Sequence, residues 1–129
     1  MIVTDASAVA ELLLARPKAA AVRLALSAHP ELHVPEHFHI ELLSVLRRYS
    51  IHGELSDRRA TEALAALADL RVLTYPVIEL AETVWDLRAD LTAYDAAYLA
   101  LAQRLDTGLI TFDKGLARAA SKQGRLVAL

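Results

Sequence analysis

Short apolar runs, each closed by an acid, a proline or a glycine, alternate along this chain with longer stretches whose apolar residues recur at three and four. Ile2-Val3-Thr4 reads as a buried strand. A helix follows from about Ser7 to Leu14, and Asp5 or Ser7 can cap it by accepting from an early N–H. Arg16-Pro17 breaks that helix, and Pro17 suits the start of the next, Lys18 to about Ala28, which His29-Pro30 ends. Glu31 to Val34 reads as a second strand closed by Pro35. A third helix runs from about Glu36 to Ser50 and stops at His52-Gly53. The fourth, from Ser56 or Asp57 to Leu70, is expected to bury Ala60, Leu64, Leu67 and Leu70 on one face. Arg71 to Tyr75 is a third strand closed by Pro76, followed by a fifth helix over Ile78 to Leu87. Thr92 caps a sixth helix ending at Leu105, and Asp95 stands three residues beyond the cap, at capping-box spacing. Gly108 opens a fourth strand that delivers Asp113 at its end. A seventh helix covers Lys114 to Lys122, Gly124 is a left-handed stop, and Arg125 to Leu129 is a fifth strand or a tail.

Strands alternating with helices predict a parallel sheet covered on both faces. The expected fold is a three-layer α/β/α domain spanning residues 1–129, with a short, mostly parallel sheet of four to five strands and about seven helices. Open sheets of this kind carry their sites beyond the carboxyl ends of the strands, where strand order reverses. If the first and fourth strands are neighbours, Asp5 and Asp113 converge in that crevice.

Composition narrows the chemistry. With 55% hydrophobic and 23% charged residues the chain can build a core, and Ala and Leu favour helices. It has no cysteine, which excludes disulfides, thiolate catalysis and sulfur-ligated metal. It opens on a strand without a basic leader or cleavage pattern and carries no membrane-length apolar run, so a cytoplasmic protein is expected. The net charge of −2 does not hold nucleic acid globally, so any such binding is local, metal-assisted or helped by a partner.

The acids carry the argument. Asp5, Asp95 and Asp113 each sit where a helix begins, and each has an ordinary explanation as a cap. Glu41 is different. The third helix is expected to bury Phe38, Leu42, Val45 and Tyr49, which leaves Glu41 on the flank of that stripe, where a carboxylate needs a partner or a cation. Four acids gathered together repel one another unless cations neutralise them, and carboxylate-only ligation selects Mg2+ or Mn2+. Two such ions clamp the attacking and leaving oxygens of a phosphodiester displacement.

Other residues point elsewhere less strongly. His37 and His39, two apart on a helix, face away from each other and cannot share an ion. Tyr94, Tyr98, Leu101 and Leu105 are expected on the inner face of the sixth helix, as core rather than as a base-stacking platform. Arg16, Lys18, Arg47, Arg48, Arg58, Arg59, Lys114 and Arg118 could line an RNA path, but equally make a solvated surface.

Over nearly its whole length the chain resembles the PIN-domain nucleases, and among them the VapC-type toxins of bacterial toxin–antitoxin pairs. The likeness rests on Val3-Thr-Asp-Ala-Ser7, on Pro35 with Glu41-Leu-Leu-Ser-Val-Leu-Arg-Arg48, on Tyr94-Asp-Ala-Ala-Tyr-Leu-Ala-Leu-Ala102, and on Leu109-Ile-Thr-Phe-Asp113 with Leu116. Their order and spacing, not any one piece, carry it. The resemblance implies an acidic quartet at Asp5, Glu41, Asp95 and Asp113, and supporting hydroxyls at Ser7 and Thr111. It implies one or two Mg2+ or Mn2+ ions and RNA hydrolysis leaving 3′-hydroxyl and 5′-phosphate ends. It also implies a homodimer and inhibition by a VapB-like antitoxin whose tail enters the acidic site, with DNA reached only through that antitoxin. No acid follows Asp113, so a further metal ligand is water or comes from elsewhere.

Two other enzyme classes fit less well. A haloacid-dehalogenase-type phosphatase wants a second Asp two residues after Asp5, where Ser7 stands. A receiver domain wants a phospho-accepting Asp after a middle strand, and Tyr75-Pro76 offers none. A PIN-fold binding module or RNA-processing protein keeps the fold, but a scaffold has no need of four mutually repelling acids.

Overall fold

The computed structural model describes residues 1–129. Four strands, β1 (Ile2–Thr4), β2 (Leu32–Pro35), β3 (Val72–Tyr75) and β4 (Leu109–Ile110), form one sheet in the order β3-β2-β1-β4. Every pairing is parallel. β1 and β2 are buried at each position, as strands covered on both faces must be. β3 is the edge strand and turns Leu73 and Thr74 to solvent. The order reverses between β1 and β4, so the crevice expected at the sheet's carboxyl end lies between them.

Seven helices cover the sheet: α1 (Ala6–Leu13), α2 (Ala19–Ser27), α3 (Phe38–Ile51), α4 (Asp57–Asp69), α5 (Ala81–Asp86), α6 (Ala93–Arg104) and α7 (Lys114–Lys122). α1 packs against α2, α3 and α4, while α6 packs against α5 and α7 and lies on β1, β2 and β4. The α6 stretch from Ala96 to Ala102 is buried without interruption, because its alanines let neighbours approach on every side. It joins Val3, Val9, Val34, Phe38, Leu42 and Ile110 in the main core. No helix is long and apolar enough to cross a membrane.

The structure corrects several details. The fifth helix is split into a 3₁₀ turn, Val77–Leu80, and the six-residue α5. The expected fifth strand is reduced to one parallel bridge between Leu109 and Leu126. The tail runs close beside β4 there because Gly108 has no side chain: a Cβ would come within 2.7 Å of Val127 Cγ2. Gly124 does adopt the left-handed conformation (φ 68°) just after α7. On α4 the buried residue is Ala63, not Leu64, which is 46% exposed. Small Ala63 fits a satellite core with Leu46 and Leu55, and Leu64 lies about 100° around the helix from it. On α3 the most buried residues are Phe38, Leu42 and Leu46, with Val45 and Tyr49 at the margin.

Candidate active site

The parallel register sets the site. Val3 pairs with Leu109 and Thr4 with Ile110, and the Asp5 amide donates to the Ile110 carbonyl at 3.2 Å. Asp5 therefore leaves β1 beside Thr111. Its side chain caps α1, with Oδ1 accepting from the Ala8 amide at 3.2 Å and from Ser7 Oγ at 2.6 Å. Thr111 Oγ1 donates to the other oxygen, Oδ2. Each hydroxyl is itself anchored, Ser7 Oγ accepting from the Phe112 amide at 2.9 Å and Thr111 Oγ1 from the Asp113 amide at 3.0 Å. Two donor chains thus run from the segment after β4 onto the two oxygens of Asp5. Burial nevertheless pushes the Asp5 carboxyl up to about 6. The bonds from Ser7, Thr111 and Ala8 pull it down, and the nearby charge of Asp113 adds to the rise.

Asp113 caps α7, its Oδ2 accepting from the Leu116 amide at 2.8 Å. Asp95 stands in the first turn of α6, where the Thr92 hydroxyl accepts from its amide at 3.3 Å. Burial, then the charges of Asp113 and Glu41, raise the Asp95 carboxyl above its ordinary value. On α3, Glu41 Oε1 accepts from the Tyr98 hydroxyl at 2.7 Å and lies 3.0 Å from His37 Nε2. Burial tends to raise Glu41, but the bonds from His37 and Tyr98 outweigh it and hold the carboxyl low. His37 is displaced the other way. Burial lowers it, but Glu41, the Tyr94 carbonyl and Asp95 together raise it. Burial and its bond to Glu41 push the Tyr98 phenol far up, so it stays a donor.

Asp5, Glu41, Asp95 and Asp113 line one cleft of about 470 Å³, together with Ser7, Tyr94, Tyr98 and Arg48. Thr111 stands behind it, buried against Asp5. The carboxylates do not close on a common point: no three His, Asp or Glu side chains stand in metal-holding geometry. The donor set still suits a hard divalent cation. It consists of carboxylate oxygens, and the burial and mutual repulsion that raise Asp5 and Asp95 are what a cation would relieve.

Other residues fall differently from expectation. Of the eight cations considered for an RNA path, only Arg48 lines the cleft. Arg58 and Arg59 pair with Glu62, Arg16 with Glu11, and Lys18 lies over the Phe112 ring at 4.5 Å. Tyr98 is core, but Tyr94 is 65% exposed, because it precedes the turn at which α6 passes under its neighbours. His37 is the residue that sequence reasoning overlooks. Its spacing of four from Glu41 is the available signal, hidden by weighing histidines only as paired metal ligands.

The fold agrees with the comparisons. The family model described as PIN domain matches residues 2–122. The chain belongs to the PIN-domain family, in its VapC-type branch. Ribonuclease VapC9 of Mycobacterium tuberculosis (strain H37Rv) is 42% identical over 113 residues, covering 88% of this chain and 86% of that protein. Ribonuclease VapC12 of the same organism is 36% identical over 118 residues, covering 92% and 91%. The crystal structure of Mycobacterium tuberculosis VapC20, a sarcin-ricin loop cleaving toxin, superposes with a TM-score of 0.68 at 22% identity, covering 92% of this chain and 95% of that one.

Proposed function

We propose that residues 1–129 form one Mg2+- or Mn2+-dependent endoribonuclease domain, acting as the toxin of a toxin–antitoxin pair. The observation that carries this reading is the delivery of Asp5, Glu41, Asp95 and Asp113 to one cleft from four separate points of the chain. The VapC ribonucleases, at 36–42% identity over most of the chain, support the substrate class. One or two bound ions would supply an activated water and neutralise charge on the phosphate. Asp5, Asp95 and Asp113 would hold the principal ion. Glu41, with one oxygen engaged by Tyr98 and His37, would join them or turn its other oxygen toward the attacking water. Ser7 and Thr111 would fix the orientation of Asp5, so that it does not reorganise during the reaction.

The same reading makes the protein a cytoplasmic homodimer that meets a VapB-like antitoxin and reaches DNA only through it. A cationic antitoxin tail in the cleft would substitute for the metal's charge. The test is cleavage of total RNA with Mg2+ or Mn2+ and in chelator, by wild type and Asp5→Asn. Fragments bearing 5′-phosphates, formed only by wild type with metal, support the proposal. Equal cleavage by both proteins, or cleavage undiminished by chelator, overturns it.

A further inference from the structure

Tyr94 and Tyr98 occupy successive turns of α6, yet one is core and the other bare. Tyr98 is 1% exposed and Tyr94 65% exposed. Tyr94 is nonetheless held in place. Its carbonyl accepts from His37 Nε2 at 3.0 Å, and its ring meets the His37 imidazole edge to face with centroids 5.8 Å apart. A large ring fixed from beneath and left open to water has a free face to offer. Among the exposed large apolar side chains, only Tyr94 and Ile40 border the acidic cleft, one from α6 and one from α3. Ile40, Ser44 and Arg48 follow at four-residue spacing along α3, making one stripe beside the cleft. Arg48 lies about 10 Å along the helix from Glu41. No carboxylate lies within ion-pair distance of its guanidinium.

We propose that Tyr94 is the stacking platform for an unpaired nucleobase of the RNA, beside the phosphodiester held at the acids, with Ile40 covering the base and Arg48 gripping a phosphate further along the strand. This rests on the nuclease reading above and adds to it the residues that would hold the strand beside the reacting phosphodiester. A base inside a duplex has no face to give Tyr94, whereas a splayed base stacks on an aromatic ring whatever its identity. Purines, with their larger faces, would stack on Tyr94 best. Arg48 contributes charge without reading sequence.

The test is fluorescence anisotropy with two fluorescein-labelled probes, a short oligoadenylate and an oligomer of abasic ribose phosphates of equal length. Ca2+ replaces Mg2+ to hold hydrolysis back. Tyr94→Ala should weaken oligoadenylate binding about 5- to 100-fold and leave the abasic probe unaffected. Tyr94→Phe should bind like wild type, and Tyr94→Trp more tightly to oligoadenylate alone. Arg48→Gln should weaken both probes alike and flatten the salt dependence by roughly one counterion. If wild type binds oligoadenylate and Tyr94→Ala binds it equally well, or loses both probes equally, the stacking role is overturned while the nuclease reading stands. If wild type binds neither probe, the nuclease reading fails and takes this one with it.

Discussion

The Tyr98 hydroxyl donates to Glu41 Oε1 at 2.7 Å, tying the buried helix α6 to the acid that α3 carries in its first turn. Tyr98→Phe keeps the ring in the core and removes only that donor. A hydrogen bond to a charged group is worth about 1.5–3 kcal/mol, and the 29% exposure of the Glu41 side chain lets water recover part of it. The expected loss is about 1–2 kcal/mol in urea unfolding. Cleavage should slow about tenfold with little change in KM, because Glu41 loses its orientation rather than its charge. An unchanged rate would mean that His37 alone positions Glu41.

The metal-free protein should grow more stable as pH falls from neutrality. Asp5 has a folded pKa of about 6, above its unfolded value of 3.8, so the folded state binds its proton more tightly. That contribution is complete below about pH 4 and is lost as pH rises through 6. The gap corresponds to about 3 kcal/mol, to be read as an order of magnitude. Asp95 and His37, also raised, act in the same sense. Glu41, held low, acts oppositely, contributing above its unfolded pKa and losing that as pH falls through the folded one. Urea midpoints in chelator should therefore rise between pH 7 and 5, and Asp5→Asn should flatten most of the rise. Midpoints that instead fall over this interval would show that Asp5 is stabilised as the anion.

Strand limits and their parallel sense follow from the chain, because an acid or a proline closes each apolar run and the spans between are long enough for crossovers, whereas the order β3-β2-β1-β4 is set only when the sheet assembles. Asp5 and Asp113 are expected as neighbours only if the first and fourth strands pair, and the parallel pairing of β1 with β4 meets that condition. What periodicity does not give is the depth at which a helix lies. α6 is buried all round from Ala96 to Ala102, so its pattern cannot say that Tyr94, one turn earlier, is out in solvent. On α4 the expected Ala60, Leu67 and Leu70 do pack against the cores, and only Leu64 gives way to Ala63, whose small side chain seats the helix closely. Tyr98 joins the His37–Glu41 pair from 57 residues beyond Glu41, and no local rule connects it to them before α3 and α6 are packed.

Asp95→Asn separates capping from charge. Thr92, not Asp95, supplies the capping oxygen at 3.3 Å, so the helix start should survive the swap. Relief of repulsion from Asp113 and Glu41 should raise the metal-free melting midpoint. The same change should erase most of the stabilisation by Mn2+, which in wild type reaches about 2.7 kcal/mol at a hundredfold excess over Kd. Thermal scans of both proteins, with and without Mn2+, measure this directly. Indifference of wild type to Mn2+ would leave the acids without a metal role.

Thr111→Val tests whether the two donor chains onto Asp5 matter as a unit. Valine fills nearly the same space but removes the donor to Asp5 Oδ2 and the acceptor for the Asp113 amide together. Each buried group left without a partner costs about 1–3 kcal/mol. Because the Thr111 bond holds the Asp5 carboxyl down, its loss should drive that carboxyl further up. Mn2+ binding at neutral pH should weaken, since protons then compete better for the same oxygens. Raising the pH should restore binding, which a merely misfolded variant would not do. Thr111→Ser, which keeps the hydroxyl, should behave like wild type in both calorimetry and cleavage. If serine fails as valine does, the methyl group of Thr111 is what the site requires, and the hydroxyl relay to Asp5 is incidental.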